Sequence, residues 1–316
     1  MRPNVTAEVA KRERDLRRLE LIVTRKLDGL LHGDYQGMVP GAGSEPGEGR
    51  PYSPGDDVRR IDWNLTARTT TVHVRDSVAD RELETWAIVD GSASLDFGTA
   101  DREKRDLALA AVAAVGFSTA RLGNRMGALV ARPGRVDRIP ARGGTPAIYA
   151  LLERLAAADR PEPGGPSTDV TGALVGAAKT LVRRGMVVVV SDFILPAGWE
   201  RPMRQLARHH ELLAIEVVDP RELELPNVGL LSLVDPESGR LVEVQTAKAK
   251  VRARYAQAAA ERRHGLAASL RAAGASHLVL RTDRDWVLDL AHHLAGRRRA
   301  RSGFTSGNPR SGGIRR

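Results

Sequence analysis

Asp90, Ser92 and Ser94 stand at alternate positions in AIVDGSASLDFG (87–98), directly after the apolar run Ala87–Val89. A second acid, Asp192, closes the apolar run of GMVVVVSDF (185–193). Between them, PSTDVTGAL (166–174) offers Thr168. All five are hard oxygen donors, a set that suits Mg²⁺, Mn²⁺ or Ca²⁺ and not zinc. Two carboxylates balance a divalent charge, while hydroxyls and water complete the shell. An ion held by so few protein groups keeps a position open for a partner's carboxylate or phosphate. Each residue taken singly also has a structural reading. Asp90 and Asp192 could close turns, Ser92 or Ser94 could cap a following helix, and Thr168 and Asp169 are natural N-caps.

Other chemistry finds less support. The chain holds no P-loop, no G-x-S-x-G elbow and no H-E-x-x-H. A phosphatase-like use of DGSAS lacks a second Asp to act as general acid, because the alternate positions are Ser. The neighbours His209–His210 and His292–His293 point apart on a helix, so neither pair shares a metal. GAGSEPGEG (41–49) lacks the following helix that a dinucleotide fingerprint requires.

The elements that must position the five donors follow from periodicity. Residues 7–31 read as an amphipathic helix, followed by a glycine-rich loop and a small subregion in which TTTVHV (69–74) alternates like a strand. TWAIVD (85–90) then opens an alternation of strands and helices. The helices fall at 101–122, after Thr145-Pro146, at 170–184, 199–209 and 249–273, and around Val287–Leu294. The strands are MGALVA, RVDRIP, GMVVVVSDF, LLAIEVVD and SHLVLRT, with a hairpin in GLLSLVDPESGRLVEVQT. This pattern predicts an α/β, doubly wound, mainly parallel sheet. Such sheets bind ligands beyond the carboxyl ends of their strands, where the strand order reverses. Asp90 and Asp192 both fall at such ends.

The 316 residues are enough for a real core, and the absence of cysteine excludes disulfides, thiolate metal sites and a cysteine nucleophile. No signal peptide or membrane-spanning run is legible, so a cytoplasmic protein is expected. A net charge of +10 invites nucleic-acid binding. Much of the excess lies in RRRARSGFTSGNPRSGGIRR (297–316), a tail without acids that reads as disordered. Three segments result: residues 1–83 with the N-terminal helix and small β subregion, the α/β domain at 84–296, and the tail at 297–316.

With those residues in view, Asp-x-Ser-x-Ser, the later Thr and the Asp after the middle strand resemble the metal-ion-dependent adhesion site of von Willebrand factor A domains. Upstream, RPYSPGDDVRRIDWNLTARTTTVHVRD (50–76) resembles the signature of the bacterial family called domain of unknown function 58. That resemblance implies a von Willebrand factor A-like domain and a MoxR-type AAA+ ATPase as partner. It implies Asp90, Ser92, Ser94, Thr168 and Asp192 as ligands of Mg²⁺, or of Mn²⁺ or Ca²⁺. Leu95 stands where many members have Met, and Ser167 replaces the usual Gly, which leaves Thr171 as an alternative to Thr168.

In the signature itself, Asp56, Asp57, Arg59, Arg60, Asp62 and Arg68 alternate charge around Ile61 and Trp63. They form either an ion-pair network or a docking surface with Arg60 and Trp63 at its centre. The expected function is a non-enzymatic, metal-dependent protein-interaction module that helps a MoxR-type ATPase remodel or assemble a client. The alternatives are a metal-dependent phosphoryl hydrolase using the same five residues, and nucleic-acid binding through the basic tail.

Overall fold

The computed structural model describes residues 14–25, 49–53, 58, 61–69, 71–75, 83–100, 102–162 and 164–293. Helix α1 (14–25) is followed by strand β1 (Gly49–Pro51), helix α2 (Trp63–Thr69) and strand β2 (His73–Arg75), which pairs antiparallel with β1. The α/β body comprises β3 (Glu84–Asp90), α3 (Lys104–Arg121), β4 (Arg125–Arg132), β5 (Arg135–Gly143), α4 (Thr145–Ala156) and α5 (Val170–Thr180). It continues with β6 (Gly185–Ser191), α6 (Glu200–Ala207), β7 (Glu211–Val218) and the hairpin β8 (Leu230–Val234) and β9 (Leu241–Gln245). Helix α7 (Ala249–Ala272), β10 (Ser276–Arg281) and α8 (286–293) complete it.

Six strands form one sheet in the order β10-β7-β6-β3-β4-β5. Every neighbouring pair is parallel except β4 and β5. This is the doubly wound, mainly parallel α/β fold that the strand–helix alternation predicts. The chain runs outward from β3 through β4 to β5, then returns to the other side of β3 with β6 and continues through β7 to β10. The strand order therefore reverses between β3 and β6. At such a reversal the helical connections leave in opposite directions, which is where α/β sheets of this kind bind ligands.

Two hydrophobic layers sandwich the sheet. Along β3, Ala87 and Val89 face a layer built from α1, α3, α4 and α8, while Trp86 and Ile88 face α5, α6 and α7. The valine run of β6 is buried on both faces, as a central parallel strand requires. Helix α3 is apolar around most of its circumference because α1 and α4 cover its outer side, with Phe117 edge-on to Tyr149 at 5.5 Å. No helix among the described residues is long and apolar enough to cross a membrane.

The structure corrects several local expectations. Thr69 is the last residue of α2 rather than the start of a strand. Asp62 Oδ1 accepts the amides of Asn64 at 3.0 Å and Leu65 at 3.1 Å, and this cap starts a helix that overrides the β propensity of the threonines. Strand β1 occupies the end of the glycine-rich loop because β2 supplies it with a partner. Gly144, not Thr145, is the N-cap of α4, with Pro146 in the first turn. Helix α5 ends at Thr180, and the Leu181 carbonyl is within 3.0 Å of His210 Nε2. The outer parts of the 7–31 helix, Asp56, Asp57, Arg59, Arg60, most of GAGSEPGEG and the 297–316 tail lie outside the described residues.

Candidate metal centre

Asp90 closes β3 and is 3% exposed. The next residue must be glycine, because a Cβ on Gly91 would lie 2.4 Å from the Ala131 carbonyl oxygen of β4. That close approach turns the chain sharply over the sheet edge. The Ser92 amide donates to Asp90 Oδ1 at 2.9 Å, an Asx turn that fixes the carboxylate. Ser92 precedes a short 3₁₀ helix at Ala93–Asp96, yet its hydroxyl does not cap it. The hydroxyl instead meets Ser94 Oγ at 2.9 Å, with both serines buried.

From β6, the Ser191 hydroxyl donates to Asp90 Oδ2 at 2.6 Å and accepts the Phe193 amide at 2.9 Å. Asp192 follows, its Oδ1 accepting the Ile194 amide at 3.1 Å. The turn passes through Phe193 at φ 54°, left-handed backbone on a bulky residue, a strain of about 1–3 kcal/mol. Burial of the ring against Trp199, centroids 5.9 Å apart, holds it there.

A cation is already built into this edge. Lys104, the first residue of α3, is wholly buried and places Nζ 2.8 Å from Asp192 Oδ2 and 2.5 Å from Glu222 Oε1. Burial pulls the ammonium down, but the charges and hydrogen bonds of Asp192 and Glu222 outweigh it and hold Lys104 above its ordinary value. Lys104 thus offsets one of the acids. The charge on Asp90 remains uncompensated, and its carboxyl is pushed up to about 6 by burial first and by repulsion from Asp192 second.

Thr168 lies beyond the end of β4, where it bridges to Pro133. Its neighbour Asp169 caps α5, accepting the Gly172 amide at 2.7 Å, so Thr168 is not needed as a cap. Thr171 is half-buried in the first turn of α5. Asp90, Ser92, Ser94 and Asp192 are thus brought together, and Thr168 lies at the same edge. Trp63, at the start of α2, is 71% exposed.

The donor set suits a hard divalent ion. Among the described residues no three His, Cys, Asp or Glu gather as a metal cluster, so a site here depends on hydroxyls as well as acids. The 2.9 Å between the two serine oxygens fits adjacent corners of an octahedron with Mg²⁺–oxygen bonds of about 2.1 Å, whose edge is about 3.0 Å. Uncompensated charge on Asp90 is what a cation would relieve. Asp90, Ser92, Ser94, Thr168 and Asp192 would hold the ion, which would supply Lewis acidity for a partner's oxygen ligand.

Sequence reasoning missed Ser191, Lys104 and Glu222. The adjacent polar pair Ser191–Asp192 after an apolar run was a usable signal. Lys104 sits in DREKR, which reads as a solvated helix start, and Glu222 carries only the local signal of a capping box with Asp219.

Uncharacterized proteins of Mycobacterium bovis and Mycobacterium tuberculosis are each 52% identical over 284 residues, covering 90% of this chain and 89% of theirs. Among solved structures, the conserved hypothetical protein BatB of Bacteroides thetaiotaomicron aligns with TM-score 0.40 and 13% identity, over 69% of this chain and 99% of that one. The SpRpn10 VWA domain aligns with TM-score 0.37 and 7% identity, over 66% and 93%. Residues 48–265 match the family described as "Protein of unknown function DUF58", and the chain belongs to that family.

Proposed function

We propose that this protein is a non-enzymatic, metal-dependent interaction module acting in the cytoplasm. Asp90, Ser92, Ser94, Thr168 and Asp192 hold Mg²⁺ or Mn²⁺, and the open coordination position receives an acidic side chain of a partner. The observation that carries this reading is the Asp90–Asp192 pair at the β3–β6 reversal, beside two hydroxyls and with more negative charge than the single ammonium of Lys104 balances. The chemistry favours binding over hydrolysis. Lys104 is locked between two carboxylates and cannot serve as a nucleophile or proton donor without breaking both pairs. The partner proposed from the family resemblance is a MoxR-type AAA+ ATPase, with exposed Trp63 as part of a second contact surface.

The test is thermal melting of the full chain with Mg²⁺ or Mn²⁺ and with EDTA, beside co-purification with the ATPase. Metal at one hundred times its Kd should stabilise the fold by about 2.7 kcal/mol. Asp90→Ala should remove that increment and weaken chelator-sensitive association. A melting curve indifferent to saturating metal and to chelator would sink the reading. Metal-dependent phosphoester hydrolysis that Asp90→Ala abolishes, with partner binding unchanged, would make the protein an enzyme.

A further inference from the structure

The β8–β9 hairpin forms its own two-stranded sheet, closed at its base and docked against the body at its tip. At its base, buried Thr246 donates to the Gly229 carbonyl through its amide at 2.7 Å and its hydroxyl at 2.8 Å. At the tip, Asp235 organises the turn. Its amide donates to the Arg240 carbonyl at 2.9 Å, its carbonyl accepts the Gly239 amide at 2.8 Å, and its Oδ1 accepts the Glu237 amide at 3.1 Å. Between these anchors Leu230, Val234 and Leu241 are more than half exposed.

Among the described residues two hydrogen bonds hold the tip against the body, and both fall on loops that supply candidate ligands. Glu237 Oε1 accepts the Ser94 amide at 3.0 Å, across 143 residues of sequence. The Pro236 carbonyl accepts the amide of Gly164, four residues before Thr168, at 3.1 Å. Gly164 has φ +74°, and a Cβ there would lie 3.3 Å from the Ser238 carbonyl oxygen, so glycine at this position lets the tip come in. Glu237 Oε2 accepts no hydrogen bond among the described residues.

We propose that Glu237 is the chain's own occupant of the carboxylate-binding position, displaced when an acidic side chain of a partner takes its place. The inference rests on the metal-dependent reading above. A carboxylate anchored by one oxygen on the backbone amide of Ser94, itself a candidate ligand, has the chemistry expected of the partner's ligand. Because it is tethered, it acts at an effective concentration on the order of millimolar. A small acid such as acetate competes poorly with it, whereas a partner making further contacts prevails. Among the described residues the strands of the hairpin pair with each other and not with the main sheet, so the hairpin can lift without breaking main-sheet pairing.

The experiment titrates Mn²⁺ alone into the full chain and into Glu237→Gln, followed by water-proton relaxation and by metal-free melting. Glutamine keeps an oxygen for the Ser94 amide but removes the charge. The expected result is Mn²⁺ affinity about tenfold lower, one more fast-exchanging water on the bound ion, and an unchanged metal-free melting temperature. Acetate should then quench the extra relaxation in Glu237→Gln and not in the wild type. Glu237→Asp, which keeps the charge on a shorter arm, should fall between the two. Equal affinity and hydration in both proteins would overturn the proposal alone. Loss of affinity accompanied by a lower metal-free melting temperature would mark Glu237 as a strut and also overturn it. No Mn²⁺ binding by the wild type would overturn both the proposal and the reading beneath it.

Discussion

Asp90 and Asp219 invite comparison because Asp90 ends one strand of the sheet, Asp219 directly follows another at the same edge, and both are shielded from water. Asp219 accepts four hydrogen bonds: the Thr99 amide at 2.8 Å, the Thr99 hydroxyl at 2.6 Å, the Thr282 hydroxyl at 2.9 Å and the Arg221 amide at 2.9 Å. Burial alone would push its carboxyl up, yet those donors hold it below the usual carboxylate range. Asp90 accepts from the Ser92 amide and the Ser191 hydroxyl, faces Asp192, and is pushed up to about 6. Both acids are shielded from water. The supply of donors separates them, making Asp219 a staple between loop and sheet and leaving Asp90 with charge to share.

Lys104→Met should break the contrast most severely, since it strips Asp192 and Glu222 of their cation. Removing one member of a buried ion pair costs about 3–5 kcal/mol. Urea unfolding should show that loss in metal-free protein, and Mg²⁺ should recover part of it. An unaltered midpoint would mean that Lys104 does not compensate Asp192.

Asp219→Ala should come next, costing about 2–4 kcal/mol by orphaning buried donors. If the variant folds, its Mg²⁺ affinity should match the wild type, because the staple is not part of the site. The contribution of Asp219 is present above its unfolded value of 3.8 and is lost as the pH falls through its lower folded value. A large drop in Mg²⁺ affinity would erase the distinction between the two acids.

Asp90→Asn should act with the opposite sign. The folded value of about 6 lies above the unfolded 3.8, so the folded chain holds this proton more tightly. That stabilisation is complete below 3.8 and is lost as pH rises through 6. At pH 8 the asparagine variant should therefore be more stable than metal-free wild type by about 2–3 kcal/mol, while gaining nothing from Mg²⁺. Denaturant melts across pH 4–8 would reveal either the missing slope or its persistence.

Ser92→Ala should have the smallest effect, about 1 kcal/mol or less on stability, with a modest loss of Mg²⁺ affinity read by calorimetry. Water can replace a neutral hydroxyl, so abolished binding would place Ser92 above the acids in importance.

Much of this edge was legible beforehand. The apolar runs ending at Asp90 and Asp192 announce buried parallel strands, and a polar residue at such an end has few places to point. What stayed hidden came from long range. Lys104 reads as one charge among several in DREKR, and only the folded chain carries it between Asp192 and Glu222. Glu237 reads as a turn residue in DPESG until the hairpin delivers it to Ser94. The TTTVHV run misled at its first residue for a local reason, because the helix capped by Asp62 continues through Thr69, whereas the end of the run enters β2 as expected.

The spacing of the Lys104 contacts bears on how the protein is made. Its partners follow by 88 residues at Asp192 and by 118 at Glu222. A growing chain therefore exposes the start of α3 with its ammonium unpaired until β6 and then β7 have been synthesised. Long-range closure of this kind is slow, and a fragment that stops short of Glu222 has no full set of counter-ions to bury. The α/β body is accordingly a single unit of synthesis, with this buried ion pair waiting on residues made well after the strand that begins it.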